Sequence, residues 1–470
     1  MAEEASSAAD VAAAGSSSTM RKRLTVDTKA DTKRAASVAP AGSSQEADEA
    51  EAPASPYPHF QIGTPFAVRC SRFDQLVEKS AISQSQFWGF ANLFLLSCVY
   101  YLFTNPLIRL YDRGDLFDPS LARMMFDDFF FVMFMWLKLF LWAFLAHFML
   151  LGYFRGYYPL AVLRVLQHTA QGMCIGYAIT MSIVKDWPMV PTAFCTMVSV
   201  THFMKMHSYI ETNLRYAELK GTQQECPDFP DNVTLRNFAH YMMCPVLVYE
   251  PKYPEGPGFR LSYFLLKIVS MAGIMAVLYL LITTYIIPVV MQSDKLPFFE
   301  TIVKLIFPFL YAVILFFFLL FECLLNIFAE VVNFGDREFY HDWWNSTSWD
   351  EFARKWNRPV HEFLLRHVYL ESRYRHKFNK GWAAATTFLF SALLHEMILA
   401  VCFRFIRLYM FGLMLLQIPL IALGRFHKGK QLGNWIVWGG LLFGVPLLAT
   451  CYSREWRRLD ASGAAHTRLY

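Results

Sequence analysis

Runs of apolar residues recur along most of the chain, separated by short polar or basic stretches. About 20 such residues carry a helix across a bilayer. The pattern predicts about nine spanning helices, near 84–107, 126–153, 159–184, 187–206, 262–291, 302–333, 382–403, 405–424 and 434–452. The third and fourth also read as one element broken around Lys185-Asp186-Trp187-Pro188. The connection over 334–381 departs from the pattern, being long and rich in Trp, His and Arg. Within it, Phe352, Trp356, Val360, Phe363, Leu364 and Val368 recur at helical spacing. That predicts one or two amphipathic helices lying at the membrane surface.

Hydrophobic residues make up 55% of the 470 and charged residues 17%, against about a quarter charged in an ordinary soluble protein. The imbalance selects an all-α polytopic membrane protein. Residues 1–56 hold no aromatic side chain and are rich in Ala, Ser, Glu and Asp. They cannot bury enough apolar surface to offset their ordering entropy, which predicts a disordered cytosolic tail followed by one membrane domain over 57–470. No apolar core segment opens the chain, so no cleavable signal peptide is expected. A net charge of +5 spread over loops offers no nucleic-acid surface. The nine Cys are scattered without a C-x-x-C pair, so neither a disulfide framework nor a metal site is expected.

Lys and Arg concentrate after the fourth expected span (Arg215, Lys220, Arg236, Lys252, Arg260) and after the sixth (Arg337 through Lys380). A cytosolic N-terminus places both basic connections in the cytosol, as the positive-inside rule asks. Arg454, Arg457 and Arg458 then fall on the luminal side, against the rule.

One apolar stretch, 383–403, carries His395 and Glu396 side by side near its middle. Ionisable groups at such depth cost about 2.5–3.5 kcal/mol on insertion scales and usually face a polar cavity. Thr387, Ser391 and His395 share a helix face, and Glu396 points about 100° away. A dry site would keep the imidazole neutral, the form a general base needs. A hydrogen-bonded packing histidine is the other reading of the same residue. In the long connection, Trp343 and Trp344 beside Tyr340 suit the membrane–water boundary. Asn357 and His361 bring an amide and a second imidazole together, either as an oxyanion donor with a neighbour or as a helix cap.

Phe334-Gly335-Asp336-Arg337, then Phe339-Tyr340-x-Asp342-Trp343-Trp344-Asn345, resembles a signature of the membrane-bound O-acyltransferase superfamily. The branch is that of the sterol O-acyltransferases and the diacylglycerol acyltransferases related to them. Trp356-Asn357-x-Pro359-Val360-His361 and His395-Glu396 are similar to it as well. Met204-Lys205-Met206-His207-Ser208-Tyr209 and Phe363-Leu364-Leu365-Arg366-His367-Val368-Tyr369 resemble the sterol side, the latter its fungal members. Gln417-Ile418-Pro419-Leu420 resembles the diacylglycerol side.

The resemblance implies transfer of a long-chain acyl group from acyl-CoA to a sterol hydroxyl. His395 is then the general base, Asn357 the oxyanion or thioester partner, and Glu396 a support. Phe339, Tyr340, Asp342, Trp343, Trp344, Asn345, His361, Ser391 and Gln417 are implied to bind substrate. Ser391 is not implied as a nucleophile. Arg337, Lys355, Arg358 and Arg366 are candidate partners for coenzyme A phosphates. No cofactor is implied beyond acyl-CoA as co-substrate, and no metal. A homodimer or homotetramer in the endoplasmic reticulum membrane is implied. Diacylglycerol as acceptor, and a proton-coupled transporter using His395 and Glu396, are the alternatives. The orientation predicts that neither sequon, Asn232-Val233-Thr234 nor Asn345-Ser346-Thr347, carries a glycan in cells. A mobility shift on endoglycosidase treatment would overturn it.

Overall fold

Among the described residues the backbone is helix joined by turns, with isolated bridges and no longer strand. The structure is a computed structural model and describes residues 66–78, 88–116, 119–221 and 228–462. The tail expected over 1–56, and the first residues of the span expected at 84–107, lie outside them. The described residues belong to one compact unit, Ser55–Tyr470.

A helix stands at each of the nine expected positions, yet among the described residues five are long and apolar enough to cross a membrane. These are Phe129–Phe154, Leu261–Met291, Phe298–Val331, Lys380–Phe403 and Gln431–Ala461. The count of nine spans is therefore not established. Leu160–Val184 and Met189–Gly221 differ because they bury polar side chains, among them Gln167, Gln171, Thr196, Lys205 and Glu211. These two helices pack on each other, so their polar faces find protein rather than lipid. Lys205 Nζ donates to the carbonyls of Tyr241, Met242 and Cys244 at 2.7–2.9 Å. A cation thus closes the C-terminal end of the helix Leu235–Met243, where unpaired carbonyls collect negative charge. The break expected near Pro188 is present, with Asp186 in the left-handed region at φ 50°.

Two of the five long helices widen into π-turns, at Ile282–Ile286 and Phe318–Leu324. The first precedes Pro288, which lacks an N–H and displaces the preceding turn.

The connection over 334–381 forms Trp349–Trp356, Arg358–Leu364 and a π-helix Leu365–Arg375. Helices were expected here, but at the membrane surface. Instead Arg358, Phe363, His367 and Glu371 are buried. The ions among them are matched: Arg358 donates to both Asp336 oxygens at 3.1 and 3.0 Å and to the Glu338 carbonyl at 2.8 Å.

An N-terminal strap, 66–78, is stitched to the same place. Arg69 and Gly335 share a backbone hydrogen bond, Arg69 and Arg72 reach Asp336 and Glu338, and Ser71 donates to Glu322 at 3.0 Å. Asp74 binds Lys267 at 2.9 Å.

At the other end of the bundle, Arg457 meets Asp294 at 3.4 Å and Arg454 donates to the Leu296 carbonyl at 2.9 Å. Two of the arginines that run against the expected orientation thus have local partners. Asn232 is buried, its amide bonded to Asn213 and Tyr249 at 2.7 and 2.9 Å.

Candidate active site

The helix Lys380–Phe403 starts on Asn379, whose side chain accepts from Trp382 N at 2.9 Å, and ends at Arg404 in the left-handed region. His395 lies 15 residues from Lys380, or about 22 Å along the axis, and about 12 Å from Phe403. It therefore sits past the middle of the helix, toward the 404–408 turn. Its Nδ1 is 2.8 Å from the Ser391 carbonyl. A carbonyl only accepts, so Nδ1 carries the proton and the neutral ring has its lone pair on Nε2. The polar stripe is partly closed on itself: Thr387 Oγ1 donates to the Ala383 carbonyl at 2.9 Å. The His395 side chain is not covered by neighbouring side chains among the described residues.

Glu396 does something different from its neighbour. It is buried, with Oε1 accepting from Leu408 N at 2.9 Å and Oε2 from Phe411 N at 3.0 Å. Tyr452 Oη donates to Oε1 at 3.3 Å. The next helix, Tyr409–Phe426, begins after Leu408, which has φ 56° and no side-chain oxygen to cap it. Glu396 supplies that cap, and its charge suits a helix N-terminus. It thereby fixes the helix that carries the half-buried Gln417.

Asn357 sits between Trp349–Trp356 and Arg358–Leu364. Its Oδ1 accepts from Val360 N at 3.2 Å, a helix cap, with Pro359 pre-shaped for the first turn. Among the described residues no partner binds its Nδ2. The cap reading and the donor reading are thus compatible, because they use different atoms. His361, one turn on, is half-buried, and burial pushes its imidazole below the usual histidine range.

No hydrogen bond links Asn357 to His395 among the described residues. Their helices nonetheless meet in one apolar cluster: Val360, Phe363 and Leu364 join Phe390, Leu394 and Met397 around Val200, Met204 and Val248. Phe390 and Leu394 flank Ser391 and His395 on the same helix.

The FYxDWWN run divides by role. Tyr340 is buried and donates to Glu322 at 2.6 Å. Trp343 is buried against Phe317, Trp356 and Trp438, with ring centroids at 5.2, 4.7 and 5.7 Å. It is a core residue and not a boundary anchor, which corrects the reading from composition. Phe339 is buried too, and Asp342 pairs with Lys355 at 3.1 Å. Trp344 and Asn345 are the exposed members. The four expected phosphate partners are also occupied by carboxylates: Arg337 by Glu330, Lys355 by Asp342 and Glu351, Arg358 by Asp336, and Arg366 by Glu250.

The sequence model of the membrane-bound O-acyltransferase family (MBOAT) matches residues 80–454. The chain belongs to this family. It is an acyltransferase of the membrane, and the transporter alternative falls away. Probable sterol O-acyltransferase 1 of Schizosaccharomyces pombe is 29% identical over 82% of this chain and 85% of its own length. Sterol O-acyltransferase 2 of Candida albicans is 38% identical over 52% and 42%, respectively. Diacylglycerol O-acyltransferase 1 of Bos taurus is 33% identical over 62% and 64%. The chain thus spans most of the first relative and less than two thirds of the other two.

In this MBOAT chain, sequence reasoning missed the Asp336–Arg358 pair and the buried group of Ser71, Asp74, Lys267 and Glu322. Asp336 was visible in its motif, but no spacing rule joins it to Arg358. The cap seen at Asn357 and the donor role expected of it use different atoms and can be tested apart. Asn357→Ser keeps a capping oxygen and removes the amide donor, so turnover should fall at least tenfold while abundance and melting temperature stay near wild type. Asn357→Ala should lose turnover and also about 1 kcal/mol of stability. Equal turnover in wild type and Asn357→Ser would leave Asn357 as a cap alone.

Proposed function

We propose that this acyltransferase moves a long-chain fatty acyl group from acyl-CoA to a sterol hydroxyl, forming a steryl ester. The observation that carries this reading is the match to the S. pombe protein named as a probable sterol O-acyltransferase, which extends over most of both chains. Diacylglycerol as acceptor is the second reading, supported by the 33% identity to the bovine enzyme.

In the reaction, His395 Nε2 takes the proton of the acceptor hydroxyl as its oxygen bonds to the thioester carbonyl carbon. The tautomer set by the Ser391 carbonyl leaves that lone pair available. Asn357 Nδ2 donates to the oxyanion that develops. The carbon–sulfur bond then breaks, and the imidazolium returns its proton to the departing thiolate. Neither a covalent acyl-enzyme nor a cofactor takes part, acyl-CoA being a co-substrate. Gln417, Ser391 and His361 line the approach, and Glu396 acts by placing the Gln417 helix. The exposed Lys377 and Lys380 stand at the start of the His395 helix, which suits the phosphates of coenzyme A. Trp344 and Asn345 are the members of their motif open to a ligand. A cytosolic N-terminus, the endoplasmic reticulum membrane and a homodimer or homotetramer complete the proposal.

Microsomes containing the chain, given labelled oleoyl-CoA with ergosterol, cholesterol or diacylglycerol, should label steryl ester. Label confined to triacylglycerol would establish the second reading instead. His395→Ala should remove ester formation while the protein still inserts and elutes as wild type. Turnover within tenfold of wild type in that variant would exclude Nε2 as the base.

A further inference from the structure

Two imidazoles and a carboxylate that acyl transfer does not use meet in the protein interior. His207 comes from the helix Met189–Gly221, and His367 and Glu371 lie four residues apart on the π-helix Leu365–Arg375. His207 Nε2 is 3.7 Å from Glu371 Oε2, and His367 Nδ1 is 3.4 Å from Glu371 Oε1. The three ligand-type atoms lie within 4.8 Å of one another. A tetrahedral zinc ion with bonds of about 2.0–2.1 Å holds its ligand atoms roughly 3.3 Å apart. The two imidazole–carboxylate spacings lie near that figure, each to a different oxygen of Glu371.

The groups behind these ligands are arranged as outer partners. Gln167 Nε2 is 3.3 Å from His207 Nδ1, and Ser208 Oγ is 2.7 Å from His367 Nε2. Ser208 Oγ can accept from His367 Nε2, as partners of metal-bound imidazoles do, whereas Gln167 would have to turn its amide oxygen toward His207 Nδ1 when an ion is held. Arg215 donates to Glu371 Oε1 at 3.0 Å, which leaves Oε2 on the side of His207. Two further arginines nearby, Arg164 and Arg375, share one carboxylate, Glu211, which offsets part of their charge. Residues four apart are neighbours on a helix surface, so His367 and Glu371 share a face, and π-turns such as theirs are found often at functional sites.

We propose that His207, His367 and Glu371 bind one divalent transition-metal ion of the zinc type. Two imidazoles and one carboxylate form a ligand set that suits zinc. The ion ties the helix Met189–Gly221 to the segment that continues from the Asn357-capped helix. The rival arrangement is a junction of hydrogen bonds, in which both imidazoles donate to Glu371 and no ion is held.

The full chain, purified in detergent without chelator, should contain about one zinc per chain by elemental analysis. His207→Ala and Glu371→Gln should bring zinc to background. Because either variant could lose zinc by misfolding, the wild-type chain is also stripped with chelator and refilled. Stripping should lower its melting temperature, and zinc should restore it. A wild-type chain without zinc whose melting temperature ignores both treatments would overturn the site, as would zinc that persists in both variants.

Discussion

Arg358 carries its charge into the protein interior, beside the residue that caps its own helix. A guanidinium removed from water is tolerable when a carboxylate meets it in two-point geometry and its remaining protons find acceptors. Asp336 and the Glu338 carbonyl provide both. Removing one partner of such a pair typically costs about 3–5 kcal/mol, because the other is left charged and dry. The pair therefore locks the strand-like run 334–342 to the start of Arg358–Leu364, and so sets where Asn357 stands. The N-terminal strap adds Arg69 and Arg72 to the same acidic pair of residues, 336 and 338. Much of the distance between sequence motif and site is covered by this one knot of charge.

Within the His395 helix, two adjacent ionisable residues have separate work. The histidine keeps one nitrogen for its own helix and presents the other outward. The glutamate turns to a neighbouring helix and replaces a cap that Leu408 cannot supply. Adjacent positions on a helix differ by about 100° in direction, which is why the pair is contiguous in sequence and divided in space. The same separation applies inside Asn357, where the amide oxygen caps the helix and the amide nitrogen is the atom proposed to act as donor.

Periodicity located the long helices of the membrane domain and those of the long connection, since apolar spacing is a local property, but not the short helices Arg72–Glu78, Pro119–Met125 and Leu235–Met243. It did not determine which helices face lipid. Leu160–Val184 and Met189–Gly221 read as spans in the sequence, yet their buried polar side chains find protein partners: Gln171 and Glu211 across the helix pair, Thr196 within its own helix, and Lys205 on the carbonyls of 241, 242 and 244. His395, Glu396 and Asn357 were legible as unusual polar residues in apolar or structured surroundings. The burial of Trp343 and Tyr340 was not, because aromatic residues suit a core and a membrane boundary equally well. Nor were the carboxylate partners of Arg337, Arg358 and Arg366, or the meeting of His207 with His367. Those pairings join positions far apart in the chain and exist only once the helices have packed.

The position of His395 along its helix sets a length requirement. On the proposed reading, a donor held by its charged end near Lys380 would have to span about 22 Å of helix to bring its activated carbon to the imidazole. The helix would then act as a measuring rod, suited to a donor whose reactive carbon hangs on a long narrow tether.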